Sequence, residues 1–346
     1  MESTRRGHVV VVNDRGELVY SIGDDEYRTF YRSAVKPFQV LPLMESDFFE
    51  SFGFEDRHIA IMVASHSSQP EHTKVVREVL KKAGVTEADL ECGAHAPAHE
   101  PSRDRLARAG RTAGVIHNNC SGKHAGMLAL AKGNGWPLAG YIRADHPVQI
   151  AARRAVEEVT GVVLDDAHSG IDGCGIPAHF APIRGLAHGF ARMATGSFEG
   201  KRKAAMMRVR ESMMKFPLLV AGEGRGDTDV MAARPGAVFS KVGAKGILGM
   251  GIPERGLGVA IKIEDGFLAD IGLAAMHVLR LLGISPWDAE GGGRGATTQV
   301  VRNWAGNEVG TDFSDFTFEE PVVMETVNAG SAASPSDTGI GSATPV

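Results

Sequence analysis

The sequence predicts a mixed α/β (α+β) protein, in which strands from the two ends of the chain share one antiparallel sheet and a lobe of helices lies between them. Three observations lead there. Residues 8–12 and 18–22 are short apolar runs on either side of the turn-rich Asn13-Asp14-Arg15-Gly16, an N-terminal hairpin. From about residue 67 to 216 the apolar positions recur mostly at helical spacing. From residue 237 the texture changes to glycine-interrupted strand patterns over 238–247 and 257–264, a second hairpin, followed by an apolar helix over 268–282. Strands distant in sequence can pair in one sheet, which leaves the middle of the chain as a helical lobe.

The elements follow in order. The apolar run Phe38, Val40, Leu41, Leu43 and Met44 predicts a buried helix opening near Ser33, with Pro37 tolerated in its first turn. Residues 59–64 read as a buried strand that ends in Ser65-His66-Ser67-Ser68. Val75, Val76, Val79 and Leu80 mark a helix over 70–84, stopped by Gly84. Residues 91–101 read as a loop. A polar turn over 117–124 runs into a small-residue helix over 125–131, and further helices cover 147–161, 182–193 and 201–216. Between them, residues 168–177 read as a glycine-rich loop around Asp172-Gly173-Cys174-Gly175. The sequence is read as one two-lobed domain over 1–326 with its helical lobe at 67–216. A tail over 327–346, rich in Gly, Ala, Ser, Thr and Pro, is expected to be disordered.

Composition narrows the function. With 43% apolar and 23% charged residues in 346, the chain is ordinary globular protein. A formal charge of -5 and the lack of a basic, aromatic-interleaved stripe argue against nucleic acid as a partner. No apolar run has the length of a membrane span, and the N-terminus lacks the apolar core of a secretion signal. Three scattered cysteines make no disulfide framework, so a soluble cytoplasmic protein is expected.

Several residues carry chemistry, each beside a plainer role. Ser33 and Lys36, three apart, project from one face of a helix; a desolvated lysine can take a serine's proton, as in S-x-x-K acyl-transfer enzymes, though the pair also reads as a helix cap and a solvated lysine. Ser65 is placed to face a cleft, or to cap the helix after it. Lys241 lies in an apolar strand, either snorkelling from an edge or buried with a lowered pKa. Cys120 and Cys174, each in a polar glycine-containing loop, are possible zinc ligands with His124 and Asp172 nearby, or two unrelated thiols. Asn119-Cys120-Ser121-Gly122-Lys123-His124 is no phosphate loop, because the first glycine is missing and His124 follows the lysine. Asp227-Thr228-Asp229 reads as a helix start.

Five motifs occur in a set order: Arg32-Ser33-Ala34-Val35-Lys36, Ala64-Ser65-His66-Ser67, Asn119 to Met127, Asp172-Gly173-Cys174-Gly175-Ile176-Pro177 and Lys241-Val242-Gly243-Ala244. Over residues 8–285 this series resembles the bacterial L-asparaginase II family of the Rhizobium etli type. The resemblance implies a serine β-lactamase-like fold, a homodimer, and hydrolysis of L-asparagine to L-aspartate and ammonia. It implies Ser33 as nucleophile with Lys36 as its base, and Ser65 with Lys241 as a second pair. Cys120, Lys123 and Cys174 match ligands of a zinc ion, and Arg32, His124 and Asp172 match residues around the substrate. One departure is Lys245, where the family usually has an acidic residue, so Lys241 and Lys245 compete for the second pair. The alternatives are a glutaminase or β-lactam-type hydrolase of the same fold, or a binder of metal or amino acid without turnover. Threonine-nucleophile asparaginases are disfavoured, since neither of their signature segments occurs.

Overall fold

The structure, a computed structural model, describes residues 3–268, 271–284, 298–314 and 316; the tail over 327–346 lies outside the described residues. Strands β1 (Gly7–Asn13) and β2 (Leu18–Ile22) form the N-terminal hairpin, where the Asn13 side-chain oxygen accepts the N–H groups of Arg15 and Glu17. Strand β3 (Arg28–Phe30) leads to a 3₁₀ turn, Arg32–Val35, and to two single-turn helices, α1 (Lys36–Gln39) and α2 (Leu41–Met44). The helical lobe continues with α3 (Asp56–Met62), α4 (Pro70–Ala83), α5 (Glu100–Arg108), α6 (Ser121–Gly133) and α7 (Pro147–Thr160). Strands β4 (Ser169–Ile171) and β5 (Pro177–Pro182) form a small antiparallel hairpin, to which β3 adds. Next come α8 (Ile183–Thr195), α9 (Gly200–Lys215), α10 (Pro217–Val220) and α11 (Gly226–Ala233). The chain returns to the main sheet with β6 (Phe239–Gly243), β7 (Ile247–Ile252) and β8 (Leu257–Ile263), then forms α12 (Ile271–Leu281). A separate hairpin, β9 (Thr298–Arg302) with β10 (Glu308–Phe313), ends the described chain.

The main sheet has the order β2-β1-β8-β7-β6, antiparallel throughout. Gly7 lies opposite Ile263 and Asn13 opposite Leu257, so the two ends of the chain meet at its centre. This is the mixed α/β architecture expected from the sequence, with N- and C-terminal strands in one antiparallel sheet and the helices between them. The four consecutive valines of β1 show why the sheet sits inside. Successive side chains point to opposite faces, so Val10 and Val12 join the core shared with the helical lobe, and Val9 and Val11 join the core under α12. Helix α8 lies on the first face so closely that a Cβ on Gly258 would come within 1.9 Å of the Ala187 carbonyl oxygen. Only a glycine fits there.

Four local expectations change. Residues 59–62 of that run belong to helix α3 rather than to a strand, and the helix is opened by Glu55, whose backbone N–H donates to His58 Nδ1 at 2.8 Å. An unbroken apolar run buried on every side has no period to separate the two. Ser33 lies in the 3₁₀ turn ahead of α1, not within an α-helix. The glycine-rich loop over 168–177 is the tip of the β4–β5 hairpin. The C-terminal part of the main sheet has three strands, and α5, β3, β9 and β10 had no clear signal. Among the described residues, no helix is long and apolar enough to cross a membrane.

Candidate active site

Three segments line one polar pocket: the turn and helix α1 that carry Arg32, Ser33 and Lys36, the start of α6, and the β4–β5 hairpin; the Ser65 loop after α3 reaches Lys36 from outside it. The turn is anchored by Tyr31, whose N–H donates to the His179 carbonyl and whose hydroxyl donates to the Pro182 carbonyl at 2.6 Å. Burial drives the Tyr31 phenol above its ordinary pKa, which keeps it a donor. Strand β6 packs against the same turn: a Cβ on Gly243 would lie 3.0 Å from the Tyr31 oxygen and 3.2 Å from the Ala34 nitrogen. Arg32 has a left-handed backbone, φ 49°, unusual for a side chain with a Cβ, immediately before Ser33. Its guanidinium pairs with the Asp172 carboxylate at 2.7 Å.

Lys36 is 1% exposed, and its amine donates to the Ala64 carbonyl, to Ser65 Oγ at 3.0 Å and to Cys120 Sγ at 3.1 Å. Cys120 and Cys174 are within hydrogen-bonding reach of each other, and Lys123 donates to Cys174 Sγ at 3.0 Å. One buried run therefore joins Ser65, Lys36, Cys120, Cys174 and Lys123. The hydrogen bond from Cys174, helped by the Lys36 and Lys123 ammonium groups, outweighs burial and holds Cys120 well below the ordinary thiol pKa. Cys174, donating to that sulfur and itself buried, is pushed up. Burial works against the Lys123 ammonium, but the adjoining sulfurs of Cys120 and Cys174 win and raise its pKa.

The expected pairs are arranged differently. Ser33 lines the pocket with Lys36, Lys123 and Asp172, yet among the described residues no hydrogen bond joins its hydroxyl to Lys36. Ser65 receives the Lys36 amine, not Lys241. Lys241 is fully buried and donates to Asp227 Oδ2 at 3.3 Å and to the Val242 carbonyl at 2.7 Å. Burial, offset in part by Asp227 and reinforced by Lys36, lowers its pKa to about 8. Lys245 stands exposed on the β6–β7 turn, whereas Lys241 is buried within reach of the Lys36 charge. His124 is buried, and its Nδ1 bonds the Tyr141 hydroxyl at 2.6 Å. Ser67 and Ser68 are tied to the carbonyls of Ala221 and His117, a structural role.

Among the described residues, no three His, Cys, Asp or Glu side chains gather as a metal site, so His124 and Asp172 do not complete one with the thiols. A metal here needs an amine as third donor. Lys123 supplies one, touching Cys174, and two adjacent sulfurs with one already favoured as thiolate are the soft donors zinc takes. The donor set fits the ion.

Two residues escaped the sequence reading. Asp227, 2% exposed, holds Lys241, Ser240 Oγ at 2.9 Å and the Val242 N–H at 2.9 Å. An acidic residue in a helix's first turn is so common that its sequence gave no warning. Gln39 lines the pocket beside Lys36 and Lys123. Its signal was present: Ser33, Lys36 and Gln39 recur every three residues in an apolar stretch.

The profile of a family described as L-asparaginase II matches residues 1–312. No curated protein matches the chain. Among solved structures, native Mglu is similar at 16% identity and a TM-score of 0.48, over 83% of this chain. The chain spans 66% of Mglu, just under two thirds of its length. EstCE1, a hydrolase with promiscuous acyltransferase activity, is similar at 11% identity and a TM-score of 0.39, covering 77% of this chain and 91% of EstCE1.

Proposed function

Because the chain belongs to the L-asparaginase II family, we propose that it is an amidohydrolase that converts L-asparagine to L-aspartate and ammonia with Ser33 as nucleophile. The observation that carries this reading is the buried run from Ser65 through Lys36 to Cys120, whose Lys36 lines one pocket with Ser33. The Arg32–Asp172 pair adds the substrate class. Its two charges match the α-carboxylate and α-ammonium of a free amino acid, which Arg32 and Asp172 would receive in turn.

In the proposed reaction Ser33 Oγ forms a bond to the side-chain carbonyl carbon while its proton passes to the Lys36 amine. The step starts from the free-base amine, its proton having gone to solvent, and the hydrogen bonds to the Ala64 carbonyl, Ser65 Oγ and Cys120 Sγ hold that amine in place. The C–N bond then breaks, the proton returns to the leaving nitrogen, and ammonia departs. Water adds to the Ser33 ester, the same groups remove its proton, and aspartate is released. Lys241, with a pKa of about 8, can share in this proton traffic near neutral pH, and Asp227 fixes its position. Cys120, Lys123 and Cys174 would hold a zinc ion, which would supply a fixed positive charge beside the pocket. A homodimer goes with the same family reading, and sedimentation of the purified protein tests it.

Ser33→Ala tests the core of the proposal. Ammonia release from L-asparagine is expected to fall by at least about a thousandfold, with zinc content measured on the same samples unchanged. A variant as active as the parent overturns the nucleophile assignment. Parallel assays on L-glutamine and a chromogenic β-lactam separate an asparaginase from a glutaminase or a β-lactam hydrolase.

A further inference from the structure

Behind the polar pocket lies a second cavity with a different lining. Its walls are Val40, Leu43, Met62, Met127 and Leu130, with Gly126, all apolar or without a side chain. Two residues line both spaces, Gln39 and Lys123. Lys123 is committed to Cys174. Gln39 is not committed to anything: it is 8% exposed, and its side-chain amide has no hydrogen-bond partner among the described residues. Its amide atoms keep some contact with solvent, and the spaces Gln39 lines are these two, so a ligand bound there can take the place of water. A glutamine in the wall of a pocket for an amide substrate has a matching partner available, since its C=O accepts and its NH₂ donates.

We propose that Gln39 is a specificity-determining residue, which hydrogen-bonds the side-chain amide of the substrate and forms the wall that sets how long that side chain can be. The proposal rests on the amidohydrolase reading above. With Gln39 in place, the polar pocket ends before the apolar cavity, and an amide one methylene longer must push into that wall. Shortening Gln39 joins the two spaces and admits the longer side chain against Val40, Leu43 and Met127.

The test is ammonia release from L-asparagine and from L-glutamine by the parent, Gln39→Ala and Gln39→Met. In Gln39→Ala, the ratio of kcat/KM for glutamine over asparagine is expected to rise at least about tenfold, the low end of what one methylene is worth in such a pocket. Gln39→Met keeps the wall but not the hydrogen bonds; it is expected to lower kcat/KM for asparagine about ten- to a hundredfold and to leave the ratio within about threefold of the parent's. Methionine is close to glutamine in volume, so this variant carries the test if the alanine variant fails to fold. An active parent whose ratio does not move in Gln39→Ala, or a Gln39→Met that retains the parent's kcat/KM, overturns the assignment of Gln39 alone. A parent that releases ammonia from neither amide overturns the amidohydrolase reading, and this assignment falls with it.

Discussion

Replacing Asp227 by asparagine separates charge from packing at the buried edge of the site. The carboxylate is 2% exposed and faces the Lys241 amine at 3.3 Å. An ammonium left buried without a counter-charge would cost about 3–5 kcal/mol. Lys241 has a way out, because burial already holds its pKa at about 8, with Lys36 and Arg225 pushing down and Asp227 pushing up. In Asp227→Asn that pKa falls further, by about two units for a lost charge partner, and the amine sheds its proton. The loss from charge is then capped by the work of deprotonation, which comes to about 1 kcal/mol near pH 7.5 and almost nothing above about pH 9. In the parent, the folded pKa lies below the unfolded value of 10.5, so the unfolded chain binds more protons from about pH 8 to 10.5 and stability rises with pH across that window. The substitution extends the window on its acid side. Urea unfolding of parent and variant near pH 7 and near pH 9.5 reads the difference. A loss of the same size at both pH values would show that Asp227 acts through its hydrogen bonds to Ser240 and Val242, and that its coupling to Lys241 is not the source.

Two further substitutions address the position of the nucleophile and the substrate's charges. Gly243→Ala places a Cβ 2.4 Å from Ile247 Cγ2 and 3.0 Å from the Tyr31 oxygen, so the Ser33 turn must move away from β6. About 1–3 kcal/mol of stability and at least tenfold in kcat are expected to go, and a parent-like kcat would show that β6 does not set the turn. Asp172→Asn removes the carboxylate assigned to the substrate's ammonium; KM for L-asparagine is expected to rise about ten- to a hundredfold with little change in kcat. A fall in kcat at constant KM would move Asp172 from binding into the chemistry.

What the sequence made legible follows from the range of each interaction. Hairpins and amphipathic helices are local, so β1–β2, α4, α7 and α9 were readable from turn residues and spacing. The all-buried α3 was not, because its partners on every side are distant in sequence and its own residues show no exposed face. The same limit applied to Lys241: its sequence left edge and interior open, and only the seating of α11 against β6 puts Asp227 beside it. Lys36 was legible as a lysine with a task, but its partner was not, since Ser65 reaches it through the packing of α3.

The three-residue row of Ser33, Lys36 and Gln39 shows how a local pattern and a tertiary one divide the work. A 3₁₀ turn has about three residues per turn, so positions three apart stay in register where an α-helix would rotate them away. Arg32–Val35 and the single-turn α1 keep the row aligned just long enough to put all three along one pocket, and α2 then starts a new direction. The backbone strain at Arg32 falls at the entry to this row, where the chain leaves Tyr31 and must present Ser33 toward Asp172 and Lys123. The row therefore gives the residues their order, from hydroxyl to amine to amide. The β4–β5 tip and α6 give them their counterparts: Asp172 beside Arg32 at one end, and the Cys120–Cys174 sulfurs beside Lys36 and Lys123 further in. On the proposed reading, a polar substrate entering between these two walls would meet charge first, then Ser33, and last the amide of Gln39, which is the order in which an amino acid with a side-chain amide presents its own groups.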